Sequence, residues 1–121
     1  MNDALTEFGK LYIEQVRDNS IFWLENTITG KMKAPADQEL FKRINTLPKE
    51  HIDILKEIAY NAVDQALHYM LFMFEQSDEW KIANPSKDIE SISDISDGLC
   101  GELYSSDGWI EQFSEYPSSK D

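Results

Sequence analysis

The sequence holds a single cysteine, Cys100, among 121 residues. No disulfide can form within such a chain, and a reducing compartment suits it. The longest strongly apolar run, Met70 to Phe74, is far short of the roughly 20 residues needed to cross a bilayer. The opening MNDALTEFGK lacks the basic start and apolar stretch of a secretion signal. These absences together predict a cytoplasmic protein. Glycine is also scarce, and no glycine-rich loop followed by lysine is present to cradle a phosphate. A Gly-x-Ser-x-Gly nucleophile elbow is missing as well. Basic side chains are few: 11 Lys and Arg stand against 23 Asp and Glu, a formal net charge of −12. That field repels nucleic-acid phosphates and anionic lipid headgroups but attracts basic protein surfaces. The expected partner is therefore neither nucleic acid nor membrane.

What the chain does contain is helix-forming sequence, with 41% hydrophobic residues, enough to fold around a core. The stretch from Pro48 to Gln76 has no interior glycine or proline. On a 3.6-residue wheel Ile52, Leu55, Ala59, Ala62, Val63, Ala66, Met70, Met73 and Phe74 share one broad face. Ile54, Ile58, Leu67, Tyr69, Leu71 and Phe72 spread the apolar surface most of the way round. A narrow stripe of Asp53, Glu57, Asn61, Asp64, His68 and Glu75 stays polar. The pattern predicts a central helix against which the remaining elements pack.

Upstream, Leu5, Phe8, Leu11, Tyr12, Val16 and Trp23 recur at helical spacing, predicting a helix over about 3–28 with a break allowed near Asn19. Gly30 is a natural stop. Asp37 is the expected cap of a short helix that ends before Pro48. Downstream the pattern changes. Residues 79–83 alternate like a short strand, and residues 88–97 suit a loop or a short helix. Residues 101–104 and 109–113 flank Asp107-Gly108, which reads as a hairpin turn. The expected fold is α+β and mainly helical, with helices around one long central helix and a small C-terminal antiparallel β-hairpin or sheet. One domain is expected over residues 1–116, with 117–121 as a frayed tail.

Charge is unevenly placed. Residues 1–74 carry eight basic and eleven acidic side chains, whereas residues 75–121 carry three and twelve. Aromatic residues interleaved with these carboxylates give contact area, and the carboxylates give steering. The candidate partner-binding residues are Asp94, Asp97, Glu102, Tyr104, Asp107, Trp109, Glu111 and Glu115. The plainer account of Trp109 and Phe113 is that they pin the C-terminal hairpin onto the helices. Asp64 and His68, four apart on the long helix with Glu57 and Glu75 on the same stripe, could orient a base or hold a metal. The plainer account is a solvated polar stripe, because the repeated Glu-x-x-His pair of a helical two-metal site is missing. Cys100 lies near Asp97 and Glu102, which would raise a thiol pKa and disfavour a catalytic thiolate. No catalytic set, metal site or cofactor is expected.

The run Asp97-Gly98-Leu99-Cys100-Gly101-Glu102-Leu103-Tyr104, with Asp107-Gly108-Trp109-Ile110 and Phe113-Ser114, resembles the C-terminal end of small acidic bacterial proteins of unassigned role. Some of these are grouped with toxin-immunity proteins. The resemblance implies a bacterial cytoplasmic protein that neutralises a toxin, and no catalytic motif comes with it. The leading expectation is a non-enzymatic binding protein that blocks a basic protein partner. The alternatives are a small metal-assisted enzyme built on Asp64 and His68, and a self-associating helical scaffold such as a homodimer.

Overall fold

The first helical stretch of the sequence becomes a continuous rod with a widened middle. In the computed structural model of the chain, which describes residues 3–116, α1 spans Asp3–Tyr12 and α2 spans Asn19–Ile28. A π-helical stretch, Ile13–Asp18, joins them. The expected face of this rod holds only as far as Tyr12. Leu11, Val16 and Trp23 are exposed, whereas Ile13, Arg17 and Ile21 are fully buried. A four-residue spacing drifts by about 40° per step on an α-helix. The i+5 bonding of a π-helix puts more residues in each turn, cancelling the drift and keeping Ile13, Arg17 and Ile21 in one line.

Gly30 ends α2 with φ +77°, the left-handed geometry glycine adopts without strain. It also leaves room for the Phe41 ring, which a β-carbon there would meet at 2.8 Å. Helix α3 spans Pro35–Ile44, so Asp37 lies inside the first turn and is not the cap. Its carboxylate instead accepts a hydrogen bond from the Trp23 indole at 3.2 Å, tying α3 to α2. Helix α4 spans Lys49–Gln76 directly after Pro48, a length of about 42 Å.

The C-terminal third corrects the α+β expectation. The fold is mainly helical, and the described residues form no strand, hairpin or sheet. Residues 79–83 are irregular. The one β-type contact is an isolated antiparallel bridge between Asn84 and Ile89. Single 3₁₀ turns follow at Pro85–Lys87, Ile92–Ile95 and Leu99–Leu103, and a short helix α5 covers Trp109–Phe113. Asp107-Gly108 fails as a hairpin turn for a visible reason. Gly108 has φ −73° and its carbonyl accepts from the Gln112 amide, opening α5. Glycine is needed there for approach, since a β-carbon would sit 2.0 Å from the Tyr104 carbonyl oxygen. The expected frayed tail, 117–121, lies outside the described residues.

The core joins Tyr12 and Ile13 to Leu67 and Leu71 of α4 and to Ile92, Leu99, Leu103, Trp109 and Ile110. It therefore occupies the C-terminal half of α4. The N-terminal half meets α2 through Tyr60 and Lys56, both bonded to Glu25. No helix among the described residues is long and apolar enough to cross a membrane.

Candidate functional site

The acidic residues singled out from sequence divide among several places. Asp97, Glu102, Asp107 and Trp109 converge with Leu5, Thr6, Ile95 and Gln112 on one cleft of about 430 Å³. The 3₁₀ turn Leu99–Leu103 presents Glu102, whose carboxylate accepts from the Ser96 hydroxyl at 2.7 Å. Asp97 and Asp107 are exposed on the loops either side of that turn. Trp109 is only 4% exposed. Its indole lies against Gly9 and is edge-on to Phe8 and Tyr12, at 5.9 and 6.4 Å between ring centres. Trp109 is thus a wall of the cleft and anchors the short helix α5, not a hairpin, against α1.

The other candidates lie apart. Asp94 is exposed on the turn Ile92–Ile95, and Glu111 is exposed on α5. Glu115 lines a smaller cleft of about 250 Å³ with Glu14, Asp18, Phe22 and Tyr116. Tyr104 packs on α4, its ring 5.8 Å from that of His68. Burial first, and Asp64 second, push the Tyr104 hydroxyl above its ordinary pKa. Among the described residues no cation pairs with Asp94, Asp97, Glu102, Asp107, Glu111 or Glu115.

The polar stripe of α4 has a different role from the one its spacing suggested. Both carboxylate oxygens of Asp64 accept from Arg17, Nε at 2.6 Å and Nη2 at 3.3 Å. The fully buried Arg17 also donates through Nη1 to the Ser114 hydroxyl at 2.7 Å and to the Tyr116 carbonyl. Ser114 in turn donates to Asp18 at 2.6 Å, and Asp18 accepts from the Glu115 amide at 3.0 Å. Glu75 accepts from the Cys100 amide at 3.2 Å. Burial first, then Glu75, push the Cys100 thiol up, away from nucleophilic use. His68 packs parallel to Phe72 and edge-on to Tyr69, and its Nδ1 is buried without a partner. Among the described residues no three His, Cys, Asp or Glu side chains converge as a metal ion requires. The later part of the stripe, Asp64, His68 and Glu75, is where the C-terminal segment docks, whereas Asp53, Glu57 and Asn61 are exposed.

The opposite side of α4 is uncovered. Ile54, Leu55, Ile58, Tyr69, Phe72 and Met73 are each 42–62% exposed. At 100° per residue they fall within one sector of about 120°, with Ala62 and Ala66 between them. Sequence reasoning grouped Leu55, Ala62, Ala66, Met70 and Met73 on one broad apolar face, and these residues stay exposed. It missed Arg17 and Ser114 because their partners are distant in sequence. Compared with known proteins, the chain matches no family model, no curated protein and no solved structure.

Proposed function

We propose that this chain is a non-enzymatic binding protein whose acidic C-terminal side captures a basic protein partner. One observation carries the reading: residues 75–116 hold eleven acidic and two basic side chains, and the six candidate carboxylates pair with no cation among the described residues. Unpaired surface carboxylates raise the encounter rate with a positive surface, and nearby apolar area then slows release. The cleft at Asp97, Glu102 and Asp107 supplies both, with Leu5 and Ile95 in its wall. The narrower role, neutralising a toxin in a bacterial cytoplasm, rests on the C-terminal resemblance and on the lone, unactivated thiol. A metal-assisted reaction at Asp64 has less support, since Arg17 already occupies both oxygens of that carboxylate.

The test recovers partners from the source cell by pull-down with the purified chain. Association of the basic protein recovered is then followed by stopped flow at low and high salt. Recovery of no basic protein counts against the proposal. The expected rate falls at least tenfold as salt rises. Asp97→Asn, Glu102→Gln and Asp107→Asn together should lower the low-salt rate by a similar factor. A rate indifferent to both salt and the triple substitution removes the proposal.

A further inference from the structure

The uncovered side of α4 is too long and too continuous to be scattered surface hydrophobicity. It runs from Ile54 to Met73, about 30 Å along the axis, and carries no acidic or basic side chain within its sector apart from His51 at its start. Its exposed apolar area is on the order of 800 Å², roughly what one partner contributes to a stable interface. We propose that this face is a dimer interface, on which α4 of a second copy of the chain lies antiparallel about a two-fold axis between Ala62 and Ala66.

Three features select that occupant. Ala62 and Ala66 sit at the middle of the stripe beside the exposed, uncharged Gln65, and the large apolar side chains lie at both ends, so two helices can cross on the alanines and interdigitate outward. A two-fold axis between these alanines sets Leu55 of each copy beside Met73 of the other, making the face self-complementary. Charge fixes the direction. Residues 31–56, from the α3 end of the molecule, carry six basic and four acidic side chains, whereas residues 75–116 carry eleven acidic and two basic. Antiparallel pairing brings each mildly positive end beside the strongly negative end of the other copy. Parallel pairing would stack the negative ends, costing both affinity and association rate. The acidic cleft is lined by α1 and the C-terminal turns, with no α4 residue, so the interface leaves it open.

Sedimentation velocity on the full chain across a hundredfold range of concentration tests the assembly. The expected result is a dimer that dissociates at the lowest concentrations. Ile58→Glu and Tyr69→Glu, at positions 59% and 62% exposed, should each shift the protein to monomer with an unchanged circular dichroism spectrum. A wild-type monomer at every concentration overturns the proposal, as does a dimer that survives both substitutions. Direction is read by oxidation in a Cys100→Ser background. Leu55→Cys mixed with Met73→Cys should give a crosslinked heterodimer. Neither alone should crosslink, because like positions lie about 27 Å apart in the antiparallel pair. Crosslinked homodimers of Leu55→Cys overturn the antiparallel arrangement.

Discussion

The guanidinium of Arg17 is fully buried, and its three acceptors come from two separate parts of the chain: Asp64 on α4, and Ser114 and Tyr116 after α5. Removing one member of a buried ion pair leaves the other uncompensated, which typically costs about 3–5 kcal/mol. Arg17→Met should lower the unfolding free energy by about that much, because the half-buried Asp64 would lose the cation that both its oxygens bond. Arg17→Lys keeps the charge but not the planar fork that reaches several acceptors at once. It should recover about half of the loss. Urea unfolding of both variants decides the matter. A midpoint for Arg17→Met matching wild type would show that the buried cation contributes nothing net. None of this was legible in the sequence, where Arg17 stands 47 residues from Asp64 and 97 from Ser114.

At the scale of elements, the contact between α1 and α5 is made at a glycine. Within a helix, Gly→Ala ordinarily gains about 1 kcal/mol. At Gly9 the added β-carbon would lie 2.3 Å from the Trp109 ring, forcing the indole out of its seat between Phe8 and Tyr12. Such overpacking costs about 1–3 kcal/mol, so Gly9→Ala should destabilise despite its better propensity. Near-ultraviolet circular dichroism should report the displaced Trp109. Gly101→Ala, where a β-carbon meets nothing within 4 Å, is the control and should leave both stability and spectrum unchanged. A stabilised Gly9→Ala protein with a native spectrum would contradict this packing. The helices themselves were legible because Gly30 and Pro48 punctuate them with local backbone chemistry, although the start of α3 lies at Pro35 and not at the expected Asp37 cap. The C-terminal third was not. Leu99, Leu103, Trp109 and Ile110 bury equally well on turns or on strands, and what replaces the hairpin is Gly108 at φ −73° with its carbonyl opening α5. The candidate cleft was half legible: the sequence named Asp97, Glu102, Asp107 and Trp109, but Leu5 and Thr6 join them only through the docking of α1.

Across the whole molecule, the response to alkali follows from its tyrosines. Burial pushes Tyr12 up to about 12, and its hydroxyl donates to the Leu67 carbonyl at 2.8 Å. Burial also raises Tyr60, Tyr104 and Tyr116, with Glu25 adding to the effect at Tyr60 and Glu115 at Tyr116. A phenol whose proton is held more tightly in the folded state stabilises the fold fully below its unfolded pKa near 10. That contribution is lost as pH rises through about 12. Tyr12 alone accounts for roughly 3 kcal/mol by this linkage. Unfolding free energy measured from pH 8 to 12 should fall steeply above pH 10, and Tyr12→Phe should flatten the slope. An identical slope in that variant would place the alkaline sensitivity elsewhere. The Arg17 network also bears on how the chain is made. Synthesis proceeds from the N-terminus and domains begin to fold as they emerge, yet two of the oxygens that close around this guanidinium belong to Ser114 and Tyr116. The guanidinium must therefore stay wet while the chain emerges, until Ser114 and Tyr116 arrive to close around it.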